Sequence, residues 1–216
     1  MTCMICNKEI QSNTECLNGH FICDNCHSID ATEMIERYCI SSSSVKPVEM
    51  AIELMNSPLI KMHGPEHHFL VPAVLITAYY NIIGHTDIKT SAIKQASERA
   101  KNVLGGYCGF FGTCGAAIGT GIFMSIILNS NPLMEDEWKK SNMLTAETLK
   151  KIALAGGPRC CKRDTFIAIE NAVKFIRDNL NVRLPEESIE CSFSSSNKEC
   201  RQLSCKYYSR NNIRIV

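Results

Sequence analysis

Apolar residues recur at helical spacing along most of the chain, and stretches that alternate apolar and polar residues are nearly absent. The clearest run covers residues 69–83 and ends at Gly84, a residue that commonly closes a helix. Further helices are expected at residues 47–55, 88–104, 113–128, 146–155 and 160–179. This pattern predicts an all-α body, a helical bundle.

Three parts are expected along the chain. A run of four serines at residues 41–44 is typical of a linker. It would separate a Cys/His zinc-binding module at residues 1–40 from a helical domain at 45–185. Residues 186–216 would form a tail that contains further cysteines.

Composition excludes several classes of protein. Hydrophobic residues make up 45% and charged residues 21% of the 216 residues, which permits a buried core and disfavours a disordered chain. The 23 basic and 22 acidic residues leave a net charge of +1, so neither nucleic acid nor anionic lipid is a favoured partner. Residues 103–134 lack charge, but the well-packed apolar part at 118–128 is about half of a membrane span. A buried helix is the better interpretation, and no membrane is expected.

The 13 cysteines are the unusual feature of the composition. Their number is odd, they cluster in close pairs, and the polar start of the chain is not an export signal. Such usage is typical of a cytoplasmic protein whose cysteines stay reduced and bind metal. Disulfide bonds are the less favoured alternative.

Two C-x-x-C pairs near the start predict a structural zinc site. Cys3 with Cys6, and Cys23 with Cys26, supply the four thiolates of a closed tetrahedral site. A segment this short cannot build a core, so zinc would stabilise its fold. Burial of the four cysteines as core residues is the alternative.

Other cysteines and histidines lie in and just after this segment. The ligand order resembles the first six ligands of a RING-like finger, but the final C-x-x-C is missing, so no ubiquitin-ligase activity is inferred. A second zinc is nevertheless predicted on the remaining groups, which are Cys16, His20, His27 and Cys39. The fold class expected for the whole chain is therefore an all-α body with a small N-terminal zinc-ribbon or RING-like module.

A second set of cysteines lies at predicted helix starts. Cys114, Cys160 and Cys161 occupy such positions, where N–H groups lower the pKa of a thiol, and Cys108 lies among glycines. The four thiols suit an iron–sulfur cluster or a redox-active dithiol. Arg159 is a candidate ligand for a small anion. The alternative is that cysteine acts here as a small hydrophobic residue in tight helix packing.

His63 and His67 are candidate acid–base groups or metal ligands, although partly exposed histidines at a helix cap are an equal alternative. In the tail, Cys191, Cys200 and Cys205 suggest another metal site, or ligands donated to one of the earlier sites.

Four segments resemble a cysteine-rich family of unknown function that is typical of anaerobic bacteria and methanogenic archaea. They are residues 18–23 (NGHFIC), 63–68 (HGPEHH), 112–119 (GTCGAAIG) and 157–164 (GPRCCKRD). The chain is also similar, more loosely, to the C-GCAxxG-C-C redox-associated proteins. Gly115 is an extra residue relative to their pattern. That second resemblance implies redox or iron–sulfur chemistry at Cys108, Cys114, Cys160 and Cys161.

Two functions are therefore carried forward. The first is a cytoplasmic metalloprotein with a structural zinc module and a cysteine-lined redox or iron–sulfur (sulfur-handling) site in the helical domain. It would be a redox or sulfur-transfer metalloenzyme that works with a redox or sulfur-transfer partner protein. Its catalytic groups would be His63, His67, Cys114, Cys160, Cys161 and Arg159. The second is a non-enzymatic zinc-binding adaptor for a protein or nucleic acid.

Overall fold

The structure is a computed structural model, and it describes residues 1–3, 8–9 and 30–209. Within these residues it contains α-helices and two short 3-10 turns, and no β-strand, which confirms the all-α prediction for this part of the chain. The helices are α1 (Ala31–Ser41), α2 (Pro47–Asn56), α3 (Glu66–Ile83), α4 (Thr86–Ala100), α5 (Tyr107–Phe110), α6 (Gly115–Ile127), α7 (Asp136–Ala155) and α8 (Cys161–Leu180). The turns are Ser194–Ser196 and Gln202–Ser204.

Helix α3 forms the centre of the bundle because it is apolar on almost every side. It packs against α1, α2, α4, α6 and α8. Gly84 ends it in the left-handed conformation, with φ 77°, which a glycine adopts without steric cost. Inside the helix, the Thr77 hydroxyl contacts the carbonyl oxygens of Ala73 and Cys39, at 2.8 and 3.2 Å, so the buried hydroxyl has acceptors.

Close approach of α6 to α3 explains the small residues of α6. A Cβ atom on Gly115 would lie 2.1 Å from the His68 ring, and one on Gly119 would lie 2.9 Å from Pro72. The glycines therefore serve helix packing inside the bundle. No helix in the described part of the chain is long and apolar enough to cross a membrane.

Helix α1 belongs to the bundle, although the sequence suggested that the helical domain starts at residue 45. Met34 and Ile35 are buried in the common core. The serine run that follows is held against α3 and α4, because the Ser42 carbonyl accepts hydrogen bonds from Asn81 and Lys89, at 3.0 and 2.8 Å. The serines thus form an ordered loop between two packed helices rather than a linker between domains.

The segment after α8 folds back across the start of that helix. The rings of Phe193 and Tyr207 pack on Phe166, with ring centroids 6.5 and 5.4 Å apart. Farther along the bundle, the Glu187 carboxylate accepts the N–H groups of Val48 and Glu49 at the start of α2, at 2.9 and 3.0 Å. These contacts fix the tail cysteines beside α8.

Candidate functional site

The neighbouring residues Cys160 and Cys161 begin α8 and belong to different surroundings. Cys160 has an extended backbone, with φ −143° and ψ 98°, and Cys161 is the first helical residue. Cys160 lines a small cavity together with three cysteines of the folded-back segment. These four residues, Cys160, Cys191, Cys200 and Cys205, are named the tail thiol group.

Cys161 instead lies among the cysteines that precede and begin α6. Burial is the main cause of the raised pKa of Cys161 and of Cys114. A negative charge on Cys108 would raise the pKa of Cys161 further, and one on Cys161 would do the same for Cys114. Cys108, Cys114 and Cys161 are named the inner thiol group. The structure therefore divides the four cysteines expected to share one site, and it joins one of them to the tail.

N–H groups point at the sulfur atoms of the tail thiol group. The Asn197 side-chain amide donates to the Cys160 sulfur at 3.5 Å, and the Gln202 backbone N–H donates to the Cys200 sulfur at 3.4 Å. Backbone N–H groups also donate to Cys160 and Cys191. Such donors stabilise thiolates that are bound to a metal or a cluster.

A buried acid, Asp164, lies beside the inner thiol group. The Cys114 sulfur lies 3.9 Å from Oδ2 of Asp164, and Arg163 donates to Oδ1 of the same carboxylate at 3.0 Å. Cys108 is exposed. It borders an open cavity of about 500 Å³, which is also lined by Arg159, Arg163 and Asp164.

The thiols have raised rather than lowered pKa values, contrary to the expectation from their helix-start positions. Burial raises the pKa of Cys114 to about 12 and that of Cys160 to about 11, and it raises the pKa of Cys161 and Cys191 as well. The N–H donors oppose this effect but do not outweigh the loss of solvation. Without a bound cation these thiols are therefore protonated near neutral pH. The eight cysteines from Cys39 to Cys205 form no disulfides.

The two histidines singled out from the sequence have different surroundings. His67 is buried, with Nδ1 3.0 Å from the Thr165 hydroxyl and Nε2 3.0 Å from the Lys61 carbonyl oxygen. Burial lowers the pKa of His67 to about 3, so it remains neutral and serves packing. His63 contacts the Glu199 carboxylate through Nε2, at 3.2 Å. Its Nδ1 is buried and has no hydrogen-bond partner among the described residues.

Three groups at the site were not proposed from the sequence: Asp164, Asn197 and Glu199. Asp164 follows directly after the vicinal cysteines and two basic residues, and this position was a signal that could have identified it. Asn197 and Glu199 lie in an irregular segment, where no periodic pattern indicates which way a side chain points.

Most predicted zinc ligands lie outside the described residues, namely Cys6, Cys16, His20, Cys23, Cys26 and His27. Cys3 is buried, and Cys39 lies fully buried in the common core, where burial raises its pKa to about 12. That location favours a packing role for Cys39. Within the described part of the chain, no three histidine, cysteine or acidic side chains are arranged so that they could hold a single metal ion.

A family described as a family of unknown function (DUF5714) matches residues 35–208, most of the chain. The expected resemblance to a family of unknown function is thereby confirmed for that range. The likeness to the C-GCAxxG-C-C proteins stays a prediction. No curated protein and no solved structure matches the chain significantly.

Proposed function

The chain belongs to the DUF5714 family of unknown function, and we propose that its helical body holds an iron–sulfur cluster through the tail thiol group. One observation carries the proposal. Four thiols from separate parts of the sequence, one before α8 and three after it, line the same cavity. Four cysteine thiolates are the usual ligands of such clusters.

An iron–sulfur cluster would use all four thiols of the tail thiol group as ligands. The free volume in this cavity is about 20 Å³, enough for roughly one water molecule. The folded-back segment therefore has to move outward as a cluster assembles.

The inner thiol group would then lie where the substrate reacts, at the open cavity beside Cys108. A cluster at the tail thiol group would supply one-electron transfer. In the open cavity, Cys108 offers an exposed thiol, and Arg159 offers a positive charge for an anionic substrate. The free Nδ1 of His63 is the better candidate for accepting a proton, because both ring nitrogens of His67 are already engaged.

The proposed role is redox or sulfur handling in the cytoplasm, with a partner protein that exchanges electrons or sulfur. A zinc site at Cys3, Cys6, Cys23 and Cys26, and a second one that includes Cys16, His20 and His27, would stabilise the N-terminal segment or dock that partner. Cys39, which is buried in the common core, is no longer proposed as a ligand of the second zinc.

The test is metal and acid-labile sulfide analysis, with a visible absorption spectrum, on protein purified without oxygen. Cys160→Ser and Cys161→Ser form a matched pair, because the two residues are neighbours that belong to different thiol groups. We expect iron, sulfide and a broad visible band in the wild type. We expect their loss in Cys160→Ser and their retention in Cys161→Ser.

Two results would count against the proposal. Zinc without iron or visible absorption would exclude the cluster and favour the adaptor function. Equal loss of iron in both variants would show that the cluster is not held by the tail thiol group alone.

A further inference from the structure

A second cavity of about 500 Å³ lies between α7, α8 and the folded-back segment. It is distinct from the open cavity beside Cys108. Five cationic side chains from these three elements line it: Lys151, Arg163, Lys174, Arg201 and Lys206. Glu170 is the one acidic residue among the lining residues.

Positive charge is concentrated at this cavity. Glu170 offsets one of the five cations, and Asp164 offsets another because it pairs with Arg163 at 3.0 Å. Three positive charges remain in excess, whereas the whole chain carries a net charge of only +1. Like charges that converge on one cavity repel each other, and a bound anion would relieve that repulsion.

Two of the cations are held by neutral groups. Lys151 donates to the side-chain carbonyl of Asn171, and Arg201 donates to the backbone carbonyl of Ala155. Within the described part of the chain, neither forms an ion pair. Their charges are therefore oriented by hydrogen bonds and remain uncompensated.

Lys174 and Lys206 both contact the Glu170 carboxylate, at 3.4 and 2.5 Å. Tyr207 donates to the same carboxylate at 2.7 Å. One acid thus holds two lysines at the cavity wall and neutralises only one of them.

We propose that this cavity binds the diphosphate group of a small organic molecule. A diphosphate carries roughly three negative charges near neutral pH, because a terminal phosphoryl group loses its second proton near pH 6. This charge equals the excess at the cavity. Arginine guanidinium groups bind phosphate oxygens in a bidentate manner, and Leu154 and Ile167 add apolar surface for the organic part. The five cations line this cavity whether or not a cluster is bound at the tail thiol group.

Isothermal titration calorimetry on the full chain tests the proposal, with inorganic pyrophosphate, ADP and adenosine as probes. Pyrophosphate should bind at low ionic strength, and its affinity should fall as sodium chloride is added, because salt screens the cations. ADP should bind at least as tightly as pyrophosphate, since its organic part faces the apolar surface. Adenosine should show no binding.

Two neighbouring lysines of α7 provide a matched pair of variants. Lys151 lines the cavity, and Lys150 is an exposed residue that does not line it. We expect Lys151→Glu to weaken pyrophosphate binding by at least about tenfold and Lys150→Glu to weaken it by less than about threefold. Far-ultraviolet circular dichroism checks that both variants fold.

Several outcomes would overturn the inference. Pyrophosphate that does not bind at millimolar concentration in low salt would exclude the site. Adenosine that binds as tightly as ADP would show that the cations are not used. ADP that binds about tenfold more weakly than pyrophosphate would exclude an organic diphosphate. Equal effects of the two lysine variants would place the anion elsewhere.

Discussion

Protonation of His67 should destabilise the fold as the pH falls. Its Nε2–H donates to the Lys61 carbonyl oxygen, so Nδ1 is the acceptor of the Thr165 hydroxyl. The ring is almost fully buried. Burial, together with the nearby charges of Lys162, His68 and His63, lowers the pKa of His67 from 6.5 to about 3.

The size of the effect follows from the two pKa values. Below pH 6.5 the unfolded chain takes up a proton at His67, and the folded chain does not until about pH 3. The contribution of His67 to stability is therefore complete above pH 6.5 and is lost as the pH falls. One pKa unit corresponds to about 1.4 kcal/mol, so between pH 7 and pH 5 His67 alone should lower the free energy of unfolding by roughly 2 kcal/mol.

Urea unfolding at pH 7 and pH 5 measures this contribution. His67→Gln removes the titrating ring, and His85→Gln removes an exposed one as a control. The free energy of unfolding of the wild type should fall by roughly 2 kcal/mol more than that of His67→Gln over this interval, and His85→Gln should resemble the wild type. An equal fall in the wild type and His67→Gln would refute the assignment of a neutral, buried His67.

Two further substitutions test the packing around the site by the same unfolding assay. Gly115→Ala should lower the free energy of unfolding by about 1–3 kcal/mol, because its Cβ would lie 2.1 Å from the His68 ring. Gly109→Ala should lower it by less than about 1 kcal/mol, because a Cβ there would have no neighbouring atom within 4 Å. Glu187→Ala should cost about 1 kcal/mol, because it removes the carboxylate that caps α2, and Glu147→Ala on an exposed face should cost less. Equal losses of stability in the two glycine variants would contradict the close packing at Gly115. Equal losses in the two glutamate variants would contradict the cap at Glu187.

Hydrophobic periodicity predicted the central helices of the body, but it missed α1 entirely and the first half of α7. The run at 69–83 became α3, and the run at 160–179 became α8 with a shift of one residue at each end. Helix α7 starts at Asp136, well before the expected residue 146. Its buried residues are few, Ser141, Leu144, Thr148 and Ile152, and two of them are polar. The acidic first turn, Asp136 and Glu137, was the available signal.

The residue types of the site could be read from the sequence, but the grouping of the thiols could not. Two adjacent cysteines are separated because the backbone changes from extended at Cys160 to helical at Cys161. The partners of Cys160 come from a segment with almost no regular structure. Contacts of such a segment depend on how its few aromatic residues pack, here Phe193 and Tyr207 on Phe166. No periodic pattern encodes that arrangement.

Cys205 lines both the cavity of the tail thiol group and the cationic cavity, and Arg163 does the same. Outward movement of the folded-back segment on cluster assembly would shift Cys205, and with it the neighbouring cations Arg201 and Lys206. Binding at the two sites should therefore be linked, and linkage is reciprocal. Removal of the cluster by a chelator should change the dissociation constant for pyrophosphate by about fivefold or more. Identical pyrophosphate affinities before and after chelation would mean that the segment keeps its position and that the two cavities act independently.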